Sequence, residues 1–355
     1  MSNFKSVSNT NLYNSIDGLR TIGILGIVVM HILVNSTYSL EGFIFQNIIG
    51  GFGSFVGLFF IISGFGMCCG YYKKILNNEI NLIDFYKKRF IKTLPFFALL
   101  TFLDVIINFP NDSVYEVISN LTLLFGFYPN SNISIIGVGW FLGVLFAFYC
   151  LFPFFCVCVS SKRKAWITMG VSLFFNYACR NYFLIDGNVV SCNILLWSPF
   201  FSAGALIFLY KDFFGDLKKG FKMILLIIDI LLIFGFYLTP STLGNIDISQ
   251  WKLLLVFSML ILFAITGEYR FLYNKFSSFI SGISLEIYLS HMVFYRVMEK
   301  FNLLYLFDNQ LVSYLFSCVA IIILTIFFSW IAKMIFAYIK SFISNKLKEK
   351  IKSKI

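Results

Sequence analysis

The chain has 355 residues, 59% of them hydrophobic and only 13% charged, with a formal net charge of +11 and a mean hydropathy of +0.84. Soluble domains carry about 45–50% apolar and about 25% charged residues, so a water-facing cytosolic enzyme and a disordered chain are both excluded. Apolar runs recur from end to end, which marks one polytopic membrane protein.

A spanning helix needs roughly 20 mostly apolar residues. That template predicts ten, in chain order at 18–36, 52–72, 93–109, 137–159, 164–184, 190–210, 221–239, 251–267, 279–299 and 311–338. The stretch 113–127 is too short and too polar to cross, and reads as an interfacial or re-entrant segment. Charge orients the set. The loops at 73–93, 160–164, 211–222 and 268–278 and the tail from Lys340 to Lys354 carry most of the 28 Lys and Arg. The intervening loops hold Glu41, Asp112, Glu116, Asp186, Asp247 and Asp308, with Lys300 as their one cation. Basic loops stay on the cytoplasmic side. The expectation is an all-α polytopic membrane protein with about ten transmembrane helices, both termini cytoplasmic and no extramembrane domain. Residues 1–15 form a cytoplasmic N-terminal segment, 16–339 a single transmembrane domain and 340–355 a basic cytoplasmic tail.

The same charge distribution argues against nucleic acid as a partner: the basic residues follow topology, and the 46 Phe sit inside the apolar runs. The eight cysteines are scattered, mostly within those runs, where Cys behaves as a small hydrophobe. Only two histidines exist and neither is near a cysteine pair, so no metal site is expected. Tyr71, Tyr72, Trp140 and Trp251 lie near span ends, as interface anchors do. The Gly50-Gly51-Phe52-Gly53 cluster allows a sharp turn or a close backbone approach.

Ionisable groups inside a bilayer are costly and are functional candidates by default. The first span carries Arg20 and His31. Eleven residues at 100° each come within about 20° of three full turns, so the two share one helix face about 16 Å apart along the axis. A phosphorylated donor held at Arg20, at the cytoplasmic mouth, could reach His31 through an arm of that length. A neutral imidazole there could take a proton. The competing reading is a snorkelling Arg and a structural His bonded to a neighbouring helix. Asp104 and Asp229 also sit within spans, and Arg180 lies near the outer end of the fifth. In the ninth span, Tyr288 lies three residues before His291 and on its face, with Ser284 and Glu286 further round. This is either a second polar wall or a helix–helix hydrogen bond.

These residues resemble the membrane-bound acyltransferase family 3. The first helix is similar to the family's Asp-Gly-hydrophobic-Arg opening at Asp17, Gly18, Leu19 and Arg20, and to its Arg-x10-His spacing at Arg20 and His31. Phe59, Phe60, Ser63, Gly64 and Phe65 resemble its Phe-Phe-x-x-Ser-Gly-Phe element. Tyr86, Arg89, Lys92 and Pro95 resemble its basic loop element. Trp140, Phe148, Tyr149 and Pro153, then Pro199, Phe201 and Gly204, then Ser284, Tyr288, Leu289 and His291 follow in family order. Four positions depart from the pattern. Lys92 replaces an Arg, keeping charge but losing the bidentate fork; Leu145 and Gly57 stand at positions that are often acidic; Trp197 replaces a frequent Arg.

The resemblance implies an integral membrane O-acyltransferase, with acetyl-CoA or another short acyl-CoA as donor and no metal. The acceptor it implies is a hydroxyl of an extracytoplasmic polysaccharide or other cell-envelope glycan, in a bacterial cytoplasmic membrane, beside a polysaccharide biosynthesis machinery. Arg20, Arg89 and Lys92 would hold donor phosphates by charge-assisted bonds. His31, with Arg20, would be catalytic, as a base or as a transient acyl carrier. Asp17, Ser63, Tyr288 and His291 would line the cavity. Two other classes fit the same spans: a transporter or flippase of a glycan or lipid intermediate, which would consume no acyl-CoA, and a non-catalytic scaffold, which would tolerate His31→Ala.

Overall fold

The computed structural model describes residues 13–108, 113–127, 136–185, 188–243 and 246–352. Residues 1–12, the loop positions Asp112 and Asp186, and Lys354 lie outside them. The described chain is helical apart from two hairpins of two-residue strands. In order, the helices are α1 (Ser15–Asn35), α2 (Phe55–Met67), α3 (Lys73–Leu76), α4 (Leu82–Asn108), α5 (Ser113–Thr122), α6 (Trp140–Cys158), α7 (Lys162–Asn181), α8 (Ile194–Gly215), α9 (Lys219–Leu238), α10 (Ser249–Ile265), α11 (Lys275–Gly282), α12 (Ser284–Lys300) and α13 (Gln310–Lys352). Antiparallel β1 (Leu184–Ile185) and β2 (Asn188–Val189) join α7 to α8, and β3 (Thr242–Leu243) and β4 (Ile246–Asp247) join α9 to α10.

Among the described residues, six helical stretches are long and apolar enough to cross a membrane by length and composition: Ser15–Asn35, Ile44–Leu76, Gly137–Cys158, Ile194–Gly215, Lys219–Leu238 and Gln310–Phe342. The other predicted spans fall mainly on α4, α7, α10 and the α11–α12 pair. Polar residues lower the hydropathy of three of these: Lys87, Lys88, Arg89 and Lys92 on α4, Asn176 and Arg180 on α7, and Glu286 and Arg296 on α12. The fourth, α10, is apolar but has only 17 residues.

The second span starts earlier than the hydropathy pattern indicates. Ile44–Ile49 winds as a π-helical turn and Phe52–Ser54 as a 3-10 turn, so helix runs through the glycine cluster instead of turning there. Gly50 and Gly51 keep right-handed helical backbone angles. Segment 113–127 is helical too. After α5 the chain passes through Leu123, at a φ of 56°, into a 3-10 turn at Leu124–Phe127 that packs on α6 with Phe125 buried.

Phenylalanine builds much of the interior. Phe60 meets Phe141 at 4.8 Å and Trp197 at 5.0 Å, and Phe148 stacks on Phe201 at 4.4 Å. Between α2 and α8 the backbones nearly touch: a Cβ on Gly64 would lie 2.3 Å from the Phe201 carbonyl oxygen, and one on Gly204 would lie 2.3 Å from that of Ile61. Small residues permit such approach between membrane helices. Helix α1 packs against α2, α10, α11, α12 and α13, so the Arg20–His31 face looks onto protein.

Candidate functional site

The polar side of α1 is clamped near its N-terminus to the chain around α11. The Ser15 hydroxyl donates to the Gly267 carbonyl at 2.8 Å and accepts from the Tyr269 N–H at 2.9 Å. The Thr21 hydroxyl donates to the Ser277 carbonyl at 3.0 Å, and Asp17 accepts from the Ser281 hydroxyl at 2.7 Å. Gly18 sits where a Cβ would lie 2.3 Å from the Leu272 carbonyl oxygen. The Asp-Gly pair is thus a docking surface: one residue bonds α11 and the other leaves room for the turn before it.

Arg20 follows one turn on, with Asp17 at 3.7 Å and 36% of its side chain exposed. Its surroundings are rich in cations. Arg89 lies over the Tyr71 ring at 4.4 Å and near the Tyr149 ring at 5.4 Å. The Arg89 Nε is buried and finds no partner among the described residues. Lys92 lies within electrostatic range of Arg89, Arg20, Lys333 and Glu286. The Lys333 ammonium donates to the Gly282 carbonyl, at the break between α11 and α12. Four cations from α1, α4 and α13 therefore gather with two carboxylates. An excess of positive charge, with a buried guanidinium N–H to spare, suits a phosphorylated ligand.

At the other end of the same face, His31 Nδ1 lies 2.7 Å from His291 Nε2, with the two rings within 8° of parallel. His291 is fully buried, and its Nδ1 lies 2.6 Å from the Tyr288 carbonyl oxygen. The Tyr288 ring packs edge-on to Phe141 at 5.2 Å. One turn beyond His31, Asn35 donates to the His31 carbonyl at 2.8 Å and accepts from the Tyr295 hydroxyl at 2.6 Å through its own carbonyl. The two histidines of the chain therefore meet across α1 and α12. The helix–helix bond expected of His291 exists, and its partner is His31.

Of the residues singled out in the sequence, Arg20, Asp17, Arg89 and Lys92 gather at one end, and His31, His291 and Tyr288 at the other. Ser63 lies half-buried on α2 and is not hydrogen-bonded to any of them among the described residues. Tyr149, one of the residues that carry the family resemblance, joins the basic cluster, and so does Lys333, which the sequence reading does not single out. Lys333 is the lone cation inside the apolar run of α13, and the cost of charge in a bilayer marks it. The span-end aromatics each find a partner within the protein. Tyr72 donates to the Val159 carbonyl at 3.2 Å, Trp251 donates to Asn176 at 3.0 Å, Trp140 stacks on Trp197, and Tyr71 lies under Arg89.

Two departures from the family pattern have a local physical basis. A Cβ on Gly57 would lie 2.6 Å from the Phe200 ring, which leaves no space for an acidic side chain. Phe200 in turn packs on Trp197 at 5.4 Å, and Trp197 lies between Phe60 and Trp140. An aromatic stack fills the region where charge is frequent. No cluster of three or more potential metal ligands occurs among the described residues.

In comparison with known proteins, no curated protein and no solved structure matches the chain. A family model does: the acyltransferase family 3 model, described as an acyltransferase domain, matches residues 13–334, nearly the whole chain. With that coverage, the chain belongs to the acyltransferase family 3.

Proposed function

We propose that the protein is a multi-pass O-acyltransferase of a bacterial cytoplasmic membrane, with ten spans and both termini in the cytoplasm. It would move an acetyl or other short acyl group from cytoplasmic acyl-CoA to a hydroxyl of a cell-envelope glycan presented outside, beside the machinery that makes that glycan. The observation that carries the reading is the two-ended face of α1. A cluster of Arg20, Arg89, Lys92 and Lys333 lies at one end, and a hydrogen-bonded imidazole pair lies eleven residues away.

Acyl-CoA supplies an activated thioester and a chain of phosphates. The four cations would hold those phosphates, with Arg89 Nε as a ready donor. Asp17 and the α11 clamp would fix Arg20 relative to them. The roughly 16 Å between Arg20 and His31 along a helix suits a ligand whose charged and reacting ends are far apart. His31 would take the proton of the acceptor hydroxyl as the ester bond forms, or carry the acyl group itself.

The test feeds labelled acetyl-CoA to membranes holding wild type or His31→Ala at matched protein level, and follows label to the protein and to alkali-labile esters on glycans of the native host. Transfer by wild type that is lost in His31→Ala supports the reading. Absence of transfer with acceptor present and other acyl-CoAs tried would point to transport instead.

A further inference from the structure

The three groups Tyr288 carbonyl, His291 and His31 form a hydrogen-bonded chain whose direction is decided by chemistry. A backbone carbonyl only accepts, so the 2.6 Å contact to His291 Nδ1 places a hydrogen on that nitrogen. A neutral imidazole with its hydrogen on Nδ1 has a bare Nε2 that can only accept. The 2.7 Å contact between that Nε2 and His31 Nδ1 therefore needs the hydrogen on His31 Nδ1. It follows that neutral His31 carries no hydrogen on Nε2.

We propose that His291 is a positioning residue that locks His31 in the Nδ1–H tautomer, leaving Nε2 as the atom that takes the acceptor's proton. This rests on the acyltransferase reading for its chemistry but not for its geometry. The acceptor O–H bond breaks as the proton passes to His31 Nε2, and the oxygen's electron pair forms the ester bond to the acyl carbon. The carbon–sulfur bond breaks, and the leaving thiolate takes the proton from Nε2. Throughout, His31 Nδ1–H keeps donating to His291, whose own Nδ1–H keeps donating to Tyr288, so the transient imidazolium remains paired.

The position of the acceptor also has a structural reason. His291 lies three residues after Tyr288 on α12, so helix geometry brings that carbonyl to its ring, and burial of His291 leaves no water to compete. The device parallels a carboxylate that orients a catalytic histidine, with a neutral imidazole backed by a carbonyl in the carboxylate's place.

The chain has only two histidines, so ¹⁵N-histidine labelling of the full protein in lipid nanodiscs, purified through a histidine-free tag, reports these two rings alone. Nitrogen spectra are expected to show both rings protonated at Nδ1 and bare at Nε2, with His291→Gln assigning which is which. In His291→Leu, His31 is expected to pass to the Nε2–H form. Nε2–H on His31 in the wild type, or an unchanged His31 spectrum in His291→Leu, would overturn the proposal.

With labelled acetyl-CoA, His291→Leu should lose turnover by about 10²–10⁴-fold with the donor KM unchanged. His291→Gln, whose amide oxygen can still accept, should recover part of the loss. Wild-type turnover in His291→Leu would also overturn the proposal. If wild type transfers no label from acetyl-CoA or other acyl-CoAs with acceptor present, the acyltransferase reading falls, while the nitrogen spectra still decide the tautomer.

Discussion

Arg296 of α12 donates to Asp104 of α4 at 2.7 Å, with the Asp104 side chain 4% exposed and that of Arg296 35% exposed. The pair joins the helix that carries His291 to the helix that carries Arg89 and Lys92. Removing one partner of such a pair costs on the order of 3 kcal/mol. Arg296→Met should therefore lower the melting temperature of the detergent-purified protein. Asp104→Leu combined with Arg296→Met should recover most of that loss, because the buried carboxylate is removed as well. Additive losses in the double variant would show that the two residues are not coupled.

Lys333 tests the donor end. If it contacts a donor phosphate, Lys333→Ala should raise the KM for acetyl-CoA by about 5–10-fold, the worth of one partly exposed charge-assisted bond. Turnover at saturation should change little, because His31 lies at the far end of α1. Lys333→Arg should keep most of the affinity. An unchanged KM in Lys333→Ala would remove Lys333 from the donor site.

Asp247, in the β3–β4 hairpin, predicts an acid limb in stability. Burial pushes its carboxyl up, but hydrogen bonds from the Ser249 hydroxyl and N–H and the charge of Arg180 outweigh that and hold it below the usual carboxylate range. A group lowered in this way contributes stability that is complete above its unfolded value, about 4, and is lost as pH falls through the folded one. Asp247→Asn should flatten the fall of melting temperature below about pH 4 and leave the curve near neutrality parallel to wild type. The same acid slope in both proteins would rule out Asp247 as its source.

Asp229 is a contrasting carboxyl, on α9. It is 1% exposed, and neither of its oxygens has a hydrogen-bond partner among the described residues. A buried polar group without a partner costs about 1–3 kcal/mol. Asp229→Leu is therefore expected to raise the melting temperature by removing that cost, with acyl transfer unchanged. A stabilised protein that no longer transfers label would assign Asp229 a role in the reaction.

Periodicity was sufficient to read the helices and to place Arg20 and His31 on one face of the first, while Arg89 and Lys92 enter the candidate site through the family resemblance. Each predicted span falls largely on helix, and the eleven-residue spacing of Arg20 and His31 needs only the helix repeat. The pairing between helices was not readable in this way. Nothing in a one-dimensional pattern says that His291 meets His31 rather than another polar group, or that Arg296 meets Asp104, because the packing angles of several helices decide both contacts. Lys333 is legible as a single charge inside an apolar run. Trp140 and Trp251 look like interface anchors because position along a span is visible in sequence, whereas direction around the helix depends on neighbours such as Trp197 and Asn176. The start of the second span at Ile44 was hidden by glycines that this helix accommodates with tighter and wider turns.

The contacts of α1 span nearly the length of the chain. Its side chains and carbonyls bond residues 252 to 285 positions later: Gly267 and Tyr269, then Ser277 and Ser281, then His291, Tyr295 and Tyr314. Helix α1 thus holds a histidine whose imidazole partner exists only once α12 has been made, 260 residues later. Until then α1 can pack on α2, but the polar atoms that α11, α12 and α13 satisfy are without those partners. Assembly of the pair is coupled to completion: a chain that stops short of α12 holds His31 with no second imidazole to meet it.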